Sequence, residues 1–207
     1  MPVEDRLPDA LQGLVALGAR GDVNIRPILV RVLTDMFVAK GHHSADEVKQ
    51  YCEIASHMLR NMDLDTCRIV AHKLARFEHS PKPILDLLIA KGGAPAEIIL
   101  TQARGLTRQF LAAEAAFGTA CNATAIASRG DLDPELVELL ANRPEGHVLQ
   151  ALAANLSAPI EGGTFAYLVR RARSDARLAQ SLIARAQSSD DLAPLFSWPL
   201  QPTGPKL

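Results

Sequence analysis

Aromatic side chains are scarce in this chain: Phe, Trp and Tyr make up 4% of it, and Trp198 is the single tryptophan. With so few aromatic and valine-rich runs there is little material for an extensive β-sheet. Charge of one sign is also missing. A formal charge of −1 and a pI near 6.6 exclude the usual basic type of nucleic-acid binder, so any such role would be local. Cysteines number three, Cys52, Cys67 and Cys121, far apart and never in a C-x-x-C pair. That pattern gives no disulfide framework, and all three are expected to be reduced, small core residues. No apolar run approaches the ~18 residues needed to span a bilayer; the stretch from Pro83 to Ala90 is broken by Asp86 and closed by Lys91 and two glycines. The opening Met1-Pro2-Val3-Glu4-Asp5 lacks the charged-then-apolar order of a signal peptide. A cytoplasmic protein without a membrane segment is expected.

What is present is alanine and leucine, which carry most of the 48% apolar content. Small aliphatic residues at that density suit short, closely packed helices, and 207 residues can bury a sizeable core. The first third reads as three or four longer helices. Pro8 opens one that runs through Leu17 and closes at Gly21. A second runs from about Ile25 to Gly41 with Leu29, Val32, Leu33, Met36 and Phe37 on its apolar stripe. Ser44 and Glu47 form a capping box for a third, whose stripe is Val48, Tyr51, Cys52, Ala55, Met58 and Leu59. Asp65 is expected to cap a fourth, with Val70, Ala71, Leu74 and Phe77 inside.

Beyond that point helices become short and heavily punctuated, with starts expected near Pro83, Pro95, Thr107, Thr119, Pro134, Glu145, Thr164 and Asp175. Lone helices of this length are marginal in water, so each must bury a face on its neighbours. The stretch from Ile126 to Pro134 parallels the stretch from Leu152 to Ile160, and more loosely Ile183 to Pro194: a small apolar pair ends a helix, a polar corner follows, and a proline starts the next. Pro134 and Pro159 are 25 residues apart, and Pro83 precedes Pro134 by 51, two such steps without a proline near Arg108. This period predicts an all-α fold, an α-solenoid of short antiparallel helix pairs preceded by a few longer helices. The expected division is 1–64 as an N-terminal helical segment packed on the repeats, 65–198 as the array, and 199–207 as a poorly ordered proline-containing tail.

The run from Thr66 to Leu74 with Ser80-Pro81, then Pro83-Ile84-Leu85-Asp86-Leu87-Leu88, Ala125 to Arg129, and His147 to Pro159 resemble the bacterial family called domain of unknown function 2336. The resemblance covers most of the chain, about Ile25 to Phe196. The repeats are also similar to leucine-rich variant and HEAT-like repeats. The resemblance implies a helical-repeat fold and brings no activity or site residues with it.

Few constellations suit chemistry. His42 and His43 with Cys52 and His57 are the nearest to a metal set, but adjacent histidines diverge and Cys52 and His57 fall on different helix sides, so no metal and no cofactor is expected. His72, His79 and His147 lack a matched nucleophile, and no catalytic residue is assigned. The triplets Arg20-Gly21-Asp22 and Arg129-Gly130-Asp131 read as helix junctions, a cation before a left-handed glycine and an acid after it. Gly92-Gly93 and Gly162-Gly163 read as loop glycines, since neither fits a phosphate-loop pattern.

Two basic tracts stand out. Arg68, His72 and Arg76 fall at i, i+4 and i+8 with Lys73, His79 and Lys82 beside them. Arg170, Arg171, Arg173, Arg177 and Arg185 form the second, separated from the first by Asp131, Asp133, Glu135, Glu138 and Glu145. The expected function is a non-catalytic scaffold or adaptor binding another protein with an acidic surface, through Arg170, Arg173 and Arg177 or through Arg68, His72 and Arg76. A homo-oligomer is compatible with this. The alternative is a nucleic-acid or nucleotide binder, including a HEAT-like DNA glycosylase, for which the aromatic content needed to hold a flipped base is thin.

Overall fold

The computed structural model describes residues 25–187. Eleven α-helices and one 3-10 turn make up these residues, with no strand among them. The expected helix from Pro8, the Arg20-Gly21-Asp22 triplet, Trp198 and the tail 199–207 lie outside the described residues. The helices are α1 Arg26–Lys40, α2 Ala45–Arg60, α3 Leu64–Ala75, α4 Lys82–Ala90, α5 Gly93–Gln102, α6 Arg108–Phe117, α7 Ala120–Ala127, α8 Pro134–Ala141, α9 Gly146–Ala154, α10 Gly162–Arg171 and α11 Ala176–Gln187, with the 3-10 turn Ala172–Ser174 before the last. They fall into two compact units, divided between Thr107 and Arg108.

In the first unit, which holds α1 to α5, α1 packs on α2 and α3, α2 on α4, and α3 on α5. Val30, Phe37, Tyr51, Leu59, Val70 and Leu74 form its centre with Leu85, Leu88 and Ile99. The capping box at α2 is present: the Glu47 amide donates to Ser44 Oγ at 3.3 Å and the Ser44 amide to Glu47 Oε2 at 2.9 Å. Two expectations are corrected here. The buried side of α1 is Val30, Thr34 and Phe37, and Met36 is exposed. The stripe is turned because Thr34 can be buried at no polar cost: its hydroxyl donates to Val30 O at 2.7 Å and so accepts from Tyr51 Oη at 3.1 Å. At α3 the cap is Asp63 rather than Asp65. Asp63 has extended backbone and accepts from the Thr66 amide at 2.7 Å and from its hydroxyl at 3.0 Å, whereas Asp65 is exposed in the first turn.

In the second unit contacts again skip one helix: α6 packs on α8, α8 on α10, α7 on α9, and α9 on α11. Leu136, Val137 and Leu140 of α8, Val148, Leu149 and Leu152 of α9, Phe165 and Leu168 of α10, and Leu178 and Leu182 of α11 are among its buried residues, each set at helical spacing. Burial of a side chain such as Phe165 or Leu152 stabilises by about 1.5–3 kcal/mol. Helix starts recur: α6, α8 and α10 begin at 108, 134 and 162, and α7, α9 and α11 at 120, 146 and 176. The steps are 26 to 30 residues, longer than the proline spacing, and Pro159 does not start a helix. α10 begins at Gly162, with Glu161 in the capping position.

Candidate interaction surface of the second unit

The corners between helices are built from polar side chains that reach back about one step to the exposed carbonyls of an earlier helix end. After α8, Arg143 donates to Ala116 O at 2.9 Å and Gly118 O at 3.1 Å, at the end of α6, while its other edge forms a fork with Glu145 at 2.9 and 2.7 Å. After α9, Asn155 Nδ2 donates to Ala127 O at 2.8 Å and Arg129 O at 2.6 Å, at the end of α7. Arg185 of α11 donates to Asn155 O at 2.6 Å and to Ala158 O. Arg171 Nη2 reaches Pro144 O at 3.1 Å. Ala116 O, Ala127 O and Asn155 O stand at helix ends, where carbonyls lack intrahelical partners, and the other acceptors lie in the corners that follow. The sign of the interaction also fits, since a cation is stabilised at the negative end of a helix. Burial pushes the Arg185 guanidinium down, and the Arg143 fork holds the Glu145 carboxyl below its usual range.

The five arginines of the second tract therefore separate. Arg185 is 6% exposed and bound to carbonyls, and Arg171 is fixed between Pro144 O and Tyr167 Oη. Arg170, Arg173 and Arg177 are exposed, around the end of α10 and the start of α11. Arg170 lies over the Tyr167 ring, 5.9 Å from its centroid. Asp175, the local anion, is committed to the start of α11: it accepts from the Leu178 and Arg177 amides at 3.0 Å and from Gln150 Nε2 at 2.8 Å. The Leu178 amide, then Gln150, hold its carboxyl below the usual range.

The acidic segment between the tracts is also engaged locally. Asp131 forks with Arg129 at 2.7 Å, Asp133 caps α8 through the Leu136 amide at 2.9 Å, and Arg108 meets Asp133 at 3.0 Å and Glu135 at 2.6 Å. Gly130 is not left-handed, contrary to the junction expected for Arg129-Gly130-Asp131. The corner is held by the Arg129–Asp131 fork across it.

Beside the arginines the surface has relief. Phe117, at the end of α6, is 90% exposed and borders a depression with Leu139, Asn142 and Pro144. Asn142, exposed after α8, also borders a second depression, shared with Glu138, Glu161, Thr164 and Tyr167. None of Phe117, Asn142 and Asn155 is singled out by sequence patterns. For Phe117 a signal existed: Leu111 and Ala115 set the buried stripe of α6, and Phe117 falls off it.

In the first unit, Arg68 and Arg76 are exposed and His72 is half-buried. Arg68 Nε lies 3.6 Å from Asp65, and the neighbouring cations are paired, Lys73 with Asp35 and Lys82 with Asp86, each at 2.6 Å. The His43 ring stacks on Phe37 at 3.9 Å and its Nε2 lies 2.7 Å from Phe37 O, while His42 faces His79 at 6.1 Å. Among the described residues no three His, Cys, Asp or Glu side chains are grouped to hold a metal ion. Gly92 caps α5 with φ +71°, and Gly162 and Gly163 are the first residues of α10. Cys67 is buried and Cys52 half-buried, but Cys121 is exposed on α7, which corrects its expected place in the core: it lies off the stripe set by Ala123, Ile126 and Ala127.

Helices joined by recurring corner contacts, with no strand and no helix long and apolar enough to cross a membrane among the described residues, define the class as an all-helical protein. The chain belongs to a family of uncharacterised proteins conserved in bacteria, domain of unknown function 2336, whose family model matches residues 96–199. The stretch from Thr66 to Leu88, which also carries the resemblance, precedes the matched residues. No curated protein and no solved structure matches the chain.

Proposed function

We propose that this chain is a non-catalytic interaction module of the cytoplasm, an α-solenoid of short antiparallel, HEAT-like helix pairs, which takes an acidic surface of another protein on Arg170, Arg173 and Arg177. The observation that carries this reading is the division among the arginines. Arg143, Arg171 and Arg185 lie against backbone carbonyls, whereas Arg170, Arg173 and Arg177 are exposed to solvent within one short stretch. An exposed cluster of guanidinium groups suits carboxylates, which they hold in planar, two-pronged geometry. The recurring contacts between α6, α8 and α10 and between α7, α9 and α11 support the solenoid.

The test is recovery of partners by the tagged full-length chain from bacterial cytosol, with and without nuclease. A protein partner retained after nuclease and released by salt supports the reading. Recovery that disappears with nuclease would replace it by a nucleic-acid partner.

A further inference from the structure

The geometry points to a second contact, linked to Arg170 through Pro144, Arg171 and Tyr167: the depression beside Phe117 receives a bulky apolar side chain from an acidic, extended peptide segment of the partner, whose carboxylates reach Arg170 and Arg177. This rests on the interaction-module reading and specifies its ligand. A phenylalanine that is 90% exposed contributes nothing to the core of its own unit, and here it stands next to Leu139 and Pro144, so an apolar side chain placed between them would lose water contact on several sides. The depression is joined to the arginines by direct contacts: Pro144 O accepts from Arg171, Arg171 lies against Tyr167 Oη, and Arg170 covers the Tyr167 ring.

Charge then sets the direction. Glu145, at the rim of the depression, is neutralised by the Arg143 fork. Glu138 and Glu161 border the second depression, whose Tyr167 wall Arg170 covers, so an acidic segment is held at the Arg170 rim and kept out of the depression itself. The acidic part is left to run past Pro144 toward Arg170 and Arg177. Asn142, between the two depressions, offers one side-chain acceptor and two donor hydrogens, the complement of a peptide main chain.

Selection of a random peptide display library on the intact chain tests this, followed by solution binding of the selected peptides. Selected peptides are expected to share one large apolar residue at a fixed distance from a group of Asp or Glu. Phe117→Ala should weaken them about tenfold, as loss of an interface anchor does. R170E/R177E should weaken them at least as much, and wild-type binding should fall with salt. Selected peptides without the apolar residue, or binding unmoved by Phe117→Ala, overturn the inference and leave the acidic-partner reading standing. Failure to select any peptide also overturns it, while recovery of a folded partner from cytosol reports separately on the interaction module.

Discussion

Asn155 and Arg185 do the same work one step apart: Asn155 closes the end of α7 by donating to Ala127 O and Arg129 O, and Arg185 closes the end of α9 by donating to the carbonyl of Asn155 itself. The end of one helix is thus the support for the next, and a loss at one corner should be felt at the other.

Asn155→Ala leaves two carbonyls of the α7 end without their donor and should cost about 1–3 kcal/mol. Arg185→Met, which keeps the apolar stem of the side chain but removes both donors, should cost a similar amount. Urea unfolding of the single and double variants measures the coupling. The double variant should lose less than the sum, because the second loss acts on a corner already loosened. Strict additivity would mean that the two corners are independent.

Gly118 has no room for a side chain: an added Cβ would collide with the carbonyl oxygen and carboxylate of Glu114. Its own carbonyl is held by Arg143. Gly118→Ala should therefore destabilise by about 1–3 kcal/mol, against the small gain usual for replacing glycine where the backbone is compatible. Thermal unfolding decides, and a raised melting temperature would refute the close contact.

Acid should weaken the fold through its caps. Glu47 is held down to about 2 by the hydrogen bond from Lys40 and then by the Ser44 amide. Asp63 is held below its usual range by the Thr66 amide and hydroxyl, and Asp175 by the Leu178 amide and Gln150. These carboxyls bind protons more weakly when folded than when unfolded, so their stabilisation is complete above the ordinary carboxylate range, near 4.5, and is lost as pH falls toward 2. Melting temperature should fall through that interval, and Asp63→Asn, which keeps a cap but cannot titrate, should flatten the fall. Equal slopes in wild type and Asp63→Asn would remove Asp63 from the account. Asp63 is exposed and Glu47 and Asp175 are only half-buried, so each effect should be modest.

Thiol reactivity should separate the cysteines. Cys67 is buried, with its Sγ 3.9 Å from Leu59 O, and burial pushes its thiol up; Cys52 is pushed up in the same way. Cys121 is exposed. A disulfide reagent at neutral pH should modify Cys121 quickly and the other two only on unfolding, since reaction requires an accessible thiolate. Fast native reaction at Cys67 would contradict its place in the core.

The helices were legible in the sequence because their ends are written in side chains: the Ser44–Glu47 box, Thr119 and Pro134 all stand where the structure begins α2, α7 and α8. Two acids competing for one helix start misled at α3, where the amide reached from Asp63 decides. The proline spacing misled at Pro159 because a corner can contain a proline without starting a helix there. Among the arginines, composition marked the tract, but only three-dimensional placement separates Arg185, which faces carbonyls 27 and 30 residues earlier, from Arg177. Phe117 and Asn142 belong to the candidate surface through neighbours on other helices, which local periodicity does not report.

The most direct measurement compares partner recovery by the wild-type chain and by R170E/R173E/R177E, in nuclease-treated cytosol, with the melting temperature of both proteins in hand. Exposed substitutions usually cost within about ±0.5 kcal/mol each, so melting should shift by only a few degrees. The variant should stay folded and lose the partner, and wild-type recovery should weaken as salt screens the contact. Undiminished recovery by the folded variant would contradict this and leave the three arginines as solvated surface.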